Sequence, residues 1–67
     1  MIKQTTGTVV EYCTETDGWR VEAEEPLATG WYRRWQFRVE PKLGLRVRLS
    51  YVTLRYSGLW HIVGVEQ

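Results

Sequence analysis

The sequence has one cysteine, one histidine, one methionine, one phenylalanine and two prolines in 67 residues. Each scarcity closes off a class of answer. A lone Cys13 forms no internal disulfide, so packing must hold the fold, and such usage fits a reducing, cytoplasmic setting. His61 is the only imidazole and Cys13 the only thiol, which leaves no Cys/His spacing for zinc and little material for acid–base or nucleophilic chemistry. No glycine-rich loop is present to cradle a phosphate. The chain therefore reads as a binding module rather than an enzyme, with no cofactor and no metal expected. No apolar run approaches the ~20 residues of a bilayer-spanning helix, and no signal-peptide pattern opens the chain, so no membrane partner is expected. Helical periodicity is missing throughout.

Aromatic and basic side chains are what the sequence does have. Four Trp and four Tyr accompany 43% hydrophobic and 25% charged residues, a globular composition for a single domain, 1–67. A chain this short buries only about 60% of the surface its unfolded form exposes. Each large ring can bury ~150–250 Å², so about half of the rings are needed for the core. The net charge is only +1, yet the charges are segregated. Glu11, Glu15, Asp17, Glu22, Glu24 and Glu25 crowd the first part, whereas 33–55 carries seven basic residues against Glu40 alone. That polarity fits a polyanionic partner, or the docking of one copy's acidic half on another's basic half.

Alternation and turn chemistry predict an all-β chain. Residues 5–13 are rich in Thr and Val, with Gly7 placed for a bulge or bend. Residues 14–18, ending in Asp17-Gly18, form a turn. Residues 19–24 alternate, with Trp19, Val21 and Ala23 inward. After a loop at 25–30, a third strand is expected over 31–39 and a tight connection at 41–44. A long fourth strand over 45–56 bends near Ser50 and Tyr51, and a turn at Ser57-Gly58 leads to a last strand over 59–65. Five strands in so short a chain expose long edges unless they close. The expected architecture is a small five-stranded barrel, OB-fold-like, with an SH3-like barrel as the alternative.

Gly7-Thr8-Val9-Val10 followed by the Asp-Gly turn, with Gly44-Leu45-Arg46-Val47-Arg48-Leu49 later, resembles the first- and fourth-strand signatures of small OB-fold nucleic-acid-binding proteins. The helix that many of them carry between strands three and four has no room at 41–44. The resemblance implies oligonucleotide binding on the face of strands two and three, helped by the loops that follow strands one and four. Those elements would supply Arg20, Tyr32, Arg34, Gln36 and Arg38, flanked by Arg55, Tyr56 and Trp60.

Residue parity points the same way. If 31–38 and 45–51 are strands, Arg34, Arg38, Arg46 and Arg48 share one face, and Trp35, Phe37, Val47 and Leu49 share the other. Pairing the two as a hairpin sets Arg38 opposite Arg46 and Gln36 opposite Arg48, with Glu22 neutralising Arg34. Like charges facing each other on a sheet are destabilising, so Arg38, Arg46 and Arg48 ask for an anion. Tyr32 shares the outward parity and is the expected stacking ring, joined by Trp31 at the loop–strand junction. Trp19, Trp35 and Phe37 are expected in the core. The expected partner is single-stranded DNA or RNA, bound with little sequence preference. The competing expectation is a peptide or partner subunit gripped by Trp31, Tyr32, Tyr56 and Trp60, or a homo-oligomer.

Overall fold

Five antiparallel strands form one continuous sheet that curls into a half-barrel, and the computed structural model describes residues 3–66 of the chain. The strands are β1 (Gln4–Cys13), β2 (Gly18–Ala23), β3 (Gly30–Arg33), β4 (Arg46–Thr53) and β5 (Gly58–Val65). Single 3-10 turns occupy Pro26–Ala28 and Arg34–Gln36. The sheet order is β3-β2-β1-β4-β5. Three sequential strands with the fourth returned beside the first make a Greek key, and β5 extends it as a hairpin. Five antiparallel strands in this order, curled as they are, fit a small, partly open β-barrel. No α-helix joins β3 to β4, although the connection, 34–45, is much longer than the tight turn expected at 41–44 and holds the second 3-10 turn.

The third strand is much shorter than the alternation predicts. It stops at Arg33, and Arg34–Gln36 turns the chain away, so β3 and β4 never form a hairpin. The predicted oppositions of Arg38 with Arg46, Gln36 with Arg48 and Glu22 with Arg34 therefore do not exist. β4 instead lies against β1, with Thr8 opposite Arg46, Thr6 opposite Arg48 and Gln4 opposite Ser50. A 3-10 turn has three residues per turn, so its side chains follow a period of three instead of two. Phe37 reaches the core by that route while Trp35 is turned out to solvent. β4 also ends earlier than predicted, and the turn to β5 lies at 54–57.

The core fills the concave side. Val9, Val21, Val47 and Leu49 are fully buried at the sheet centre, and Trp19, Tyr32, Phe37, Trp60 and Ile62 surround them. Tyr12 tilts onto Trp19 with ring centroids 4.3 Å apart, and Tyr51 onto Trp60 at 5.4 Å. Gly7 serves curvature without a bulge: a Cβ there would stand 2.7 Å from Val21 Cγ1, so only glycine lets β1 and β2 approach this closely. The bulge itself falls between Val9 and Glu11. Where the chain enters β4, Gly44 adopts φ +87° and donates to the Val9 carbonyl at 2.8 Å.

Candidate functional site

The four central arginines of the sequence have separate fates. Arg34 begins the 3-10 turn and is fully engaged. Its Nε and Nη2 donate to the two oxygens of Asp17 at 3.1 and 3.2 Å, and Nη1 pairs with Glu40. The guanidinium also lies 5.8 Å from the Trp19 ring centroid. Asp17 accepts a further bond from the Tyr12 hydroxyl at 2.9 Å. The hydrogen bonds from Arg34 and then Tyr12 hold the Asp17 carboxyl below its usual range. Hydrogen bonding to that carboxylate raises Tyr12 and Arg34. This cluster ties the β1–β2 turn to the start of the β3–β4 connection, so Arg34 is a clamp rather than an open cation.

Arg20 is likewise engaged, donating to Glu11 at 3.0 Å and lying 3.6 Å from Glu22. Glu22 thus serves Arg20 and not Arg34. Two expected surface rings are core residues. Tyr32 is 7% exposed, its hydroxyl donates to the Ala28 carbonyl at 2.6 Å, and burial pushes its phenol up to about 12. Trp60 is 8% exposed beneath Tyr51. Tyr32 fails as a stacking ring because the loop at 25–29 brings the chain into β3 with parity opposite to that predicted, so Trp31 faces out.

What remains open is cationic and aromatic. Arg38, Arg46, Arg48 and Arg55 are exposed, and among the described residues none has a carboxylate within ion-pair distance. Arg46 donates to Thr6 Oγ1 at 3.4 Å, and the Arg48 guanidinium lies over Gly64 of β5. Arg55 stacks at 5.8 Å on the highly exposed Tyr56 at the hairpin tip. Trp31, half exposed, rests on Gly18. Trp35 is 81% exposed.

Trp35, Gln36 and Arg38 line one wall of a shallow cleft of about 450 Å³, with Val52, His61, Ile62 and Val63 opposite. The cleft is the seam that the half-barrel leaves open beyond β5. A second hollow of about 250 Å³, lined by Gln4, Thr6 and Arg48 among others, shares Val63 with it. The two therefore adjoin, and Trp35, Arg38 and Arg48 belong to one surface, with Arg46 two residues along β4 from Arg48. Arg38, Arg46 and Arg48 are exposed as the alternation expected and Gln36 is half-buried, whereas Trp35 was expected in the core and His61 was not among the expected site residues. Glutamine two residues before the basic Arg38 gave no signal for a 3-10 turn. Among the described residues no group of three His, Cys, Asp or Glu side chains could hold a metal ion. The chain matches no protein-family model, no curated protein and no solved structure.

Proposed function

We propose that the protein binds single-stranded nucleic acid along the rim of the open seam and the outer face of β4. Trp35 serves as the stacking platform, and Arg38, Arg46 and Arg48 contact phosphates. The observation that carries this reading is the 81%-exposed Trp35 sharing a cleft with the unpartnered Arg38, next to a second hollow lined by the unpartnered Arg48. A ring left in water forgoes the ~150–250 Å² of burial that a small domain needs. Its exposure beside free guanidiniums fits a ligand with flat bases and a charged backbone. Stacking of this kind contributes ~1–3 kcal/mol per base and tolerates any base. Among the described residues no α-helix is available to enter a duplex groove. The test is a tryptophan-fluorescence titration with short single-stranded DNA and RNA in low salt, beside a duplex of matched length. Quenching by single strands that weakens as salt rises is expected, and absence of binding in low salt defeats the proposal.

A second reading rests on β5. This edge strand, Gly58–Val65, contains no Asp, Glu, Lys, Arg or Pro, the residues that usually protect a free edge. Strand addition by a partner chain or a second copy would use it. Sedimentation at two ionic strengths tests the second-copy form of this reading, which a monomer at every concentration and salt removes.

A further inference from the structure

Resting on the nucleic-acid reading above, we infer that the seam cleft is a base pocket that prefers bases carrying a ring carbonyl. Three features of the cleft lead there. The first is its wall of hydrogen-bond donors. Gln36 Oε1 already accepts the Arg33 backbone N–H at 2.8 Å, which commits one of its two lone pairs to the turn, while both N–H groups of the amide nitrogen are left for a ligand. Arg38 also carries donors alone. The side chains on that wall therefore present N–H groups beside the Trp35 ring.

The second feature is the opposite wall. His61 and Ile62 alternate, Ile62 inward, and Val63 is the residue skipped at the irregularity in the β4–β5 ladder, yet all three border the cleft. Residues of both faces can line one hollow only where it runs along the strand's edge. That edge has no strand beyond it, and among the described residues no backbone hydrogen bond outside the β4 ladder involves 58–65. In an antiparallel ladder every second residue turns its N–H and C=O away from the partner. Those groups are free to meet the imide N–H of a keto base. The third feature is size, because about 450 Å³ admits a single planar base beside the indole and not a duplex.

Thymine and cytosine differ where this wall would read them: thymine offers the O4 acceptor and cytosine the N4 amino donor. Hypoxanthine and adenine differ in the same sense at the six position. A donor wall satisfies the carbonyl and leaves an amino group facing another donor. One hydrogen bond of this kind supports a preference of about five-fold.

The experiment measures affinities of the full chain for equal-length strands of deoxythymidine, deoxycytidine, deoxyadenosine, deoxyinosine and an abasic backbone. Thymidine over cytidine and inosine over adenosine, each by about five-fold, are expected, with the abasic strand weakest. Gln36→Glu keeps an acceptor for the Arg33 N–H and removes the donors. It should retain the fold by circular dichroism and abolish the thymidine-to-cytidine ratio, even if its charge weakens every strand equally. Equal affinity for thymidine and cytidine, or an abasic strand that binds as well as thymidine, overturns the base pocket while leaving single-strand binding in place. An unchanged ratio in Gln36→Glu overturns it too. Absence of binding by every strand removes both readings.

Discussion

Arg34 holds Asp17 in a two-point grip, and the Tyr12 hydroxyl donates to Oδ1, one of the two oxygens that Arg34 holds. The grip fixes where the chain leaves β3, because Arg34 is the first residue of the turn that carries Trp35, Gln36 and Arg38 to the seam. Asp17 also sits at φ +52°, a left-handed conformation that Asp and Asn tolerate better than most residues.

Asp17→Asn should keep that backbone and lose the ionic grip. The Asp17 pKa is lower in the folded chain than in the unfolded one, where it is about 3.9, so its contribution is complete above that value and is lost as pH falls through the folded pKa. The variant should melt below the wild type at neutral pH. Its melting temperature should then change less than the wild type's as pH falls from about 5 to about 2. Parallel acid profiles for the two proteins would show that Asp17 contributes nothing through its charge.

Trp35 and Trp60 make a paired test of surface against core. Trp35→Ala removes a ring that packs little, so the melting temperature should hold within a few degrees while oligonucleotide affinity falls about ten-fold, within the ~1–3 kcal/mol range of a stacked base. Trp60→Ala removes a buried ring at a cost of about 3–5 kcal/mol, comparable to the whole stability of a domain this size, and should unfold much of the protein at room temperature. A Trp35→Ala variant that binds as tightly as wild type would rule out stacking on this ring.

The binary pattern made β1, β2, β4 and β5 legible, since each has one wet and one buried face. Val47 and Leu49 are inward, and Arg46 and Arg48 outward, as their alternation says. The run 31–38 alternates equally well, and there the period of two misleads. Tertiary bonds decide that segment: Asp17 lies 17 residues from Arg34, and no local pattern announces that it will take the guanidinium. Tyr32 is already inward, opposite Trp19 in the β2–β3 ladder, and once Arg34 is held and Gln36 caps Arg33 the turn sends Trp35 outward, so the predicted roles of the two rings are reversed. The Greek-key return of β4 to β1 was invisible for a related reason, since the strands it joins are distant in sequence. The absence of acids for Arg38, Arg46 and Arg48 was legible because the whole second half holds so few.

Salt dependence should count the arginines individually. For single strands the slope of log affinity against log salt is about −0.7 per phosphate neutralised. Replacing Arg38, Arg46 or Arg48 with Ala should each lessen the slope by about that amount, whereas Arg20→Ala should leave it nearly unchanged because Glu11 and Glu22 already occupy Arg20. An Arg20→Ala variant whose slope falls as far as that of Arg48→Ala would move the phosphate path back to β2 and β3.

Two glycines should separate binding from stability. At Gly64 a Cβ would stand 2.7 Å from Arg48 Nη2, the tip of a flexible side chain that can swing aside. Gly64→Ala should therefore change the melting temperature little, yet shift Arg48 from its place beside Gln4 and Thr6 and weaken oligonucleotide binding. Gly44 has open space around it but φ +87°, so Gly44→Ala is strained at the backbone and should cost about 1–2 kcal/mol without touching the cationic surface. Melting curves and titrations on the two variants check both halves. If Gly64→Ala binds like wild type, the Arg48 guanidinium need not lie over β5 to reach a phosphate, and the surface joining Arg48 to Trp35 loses its argument.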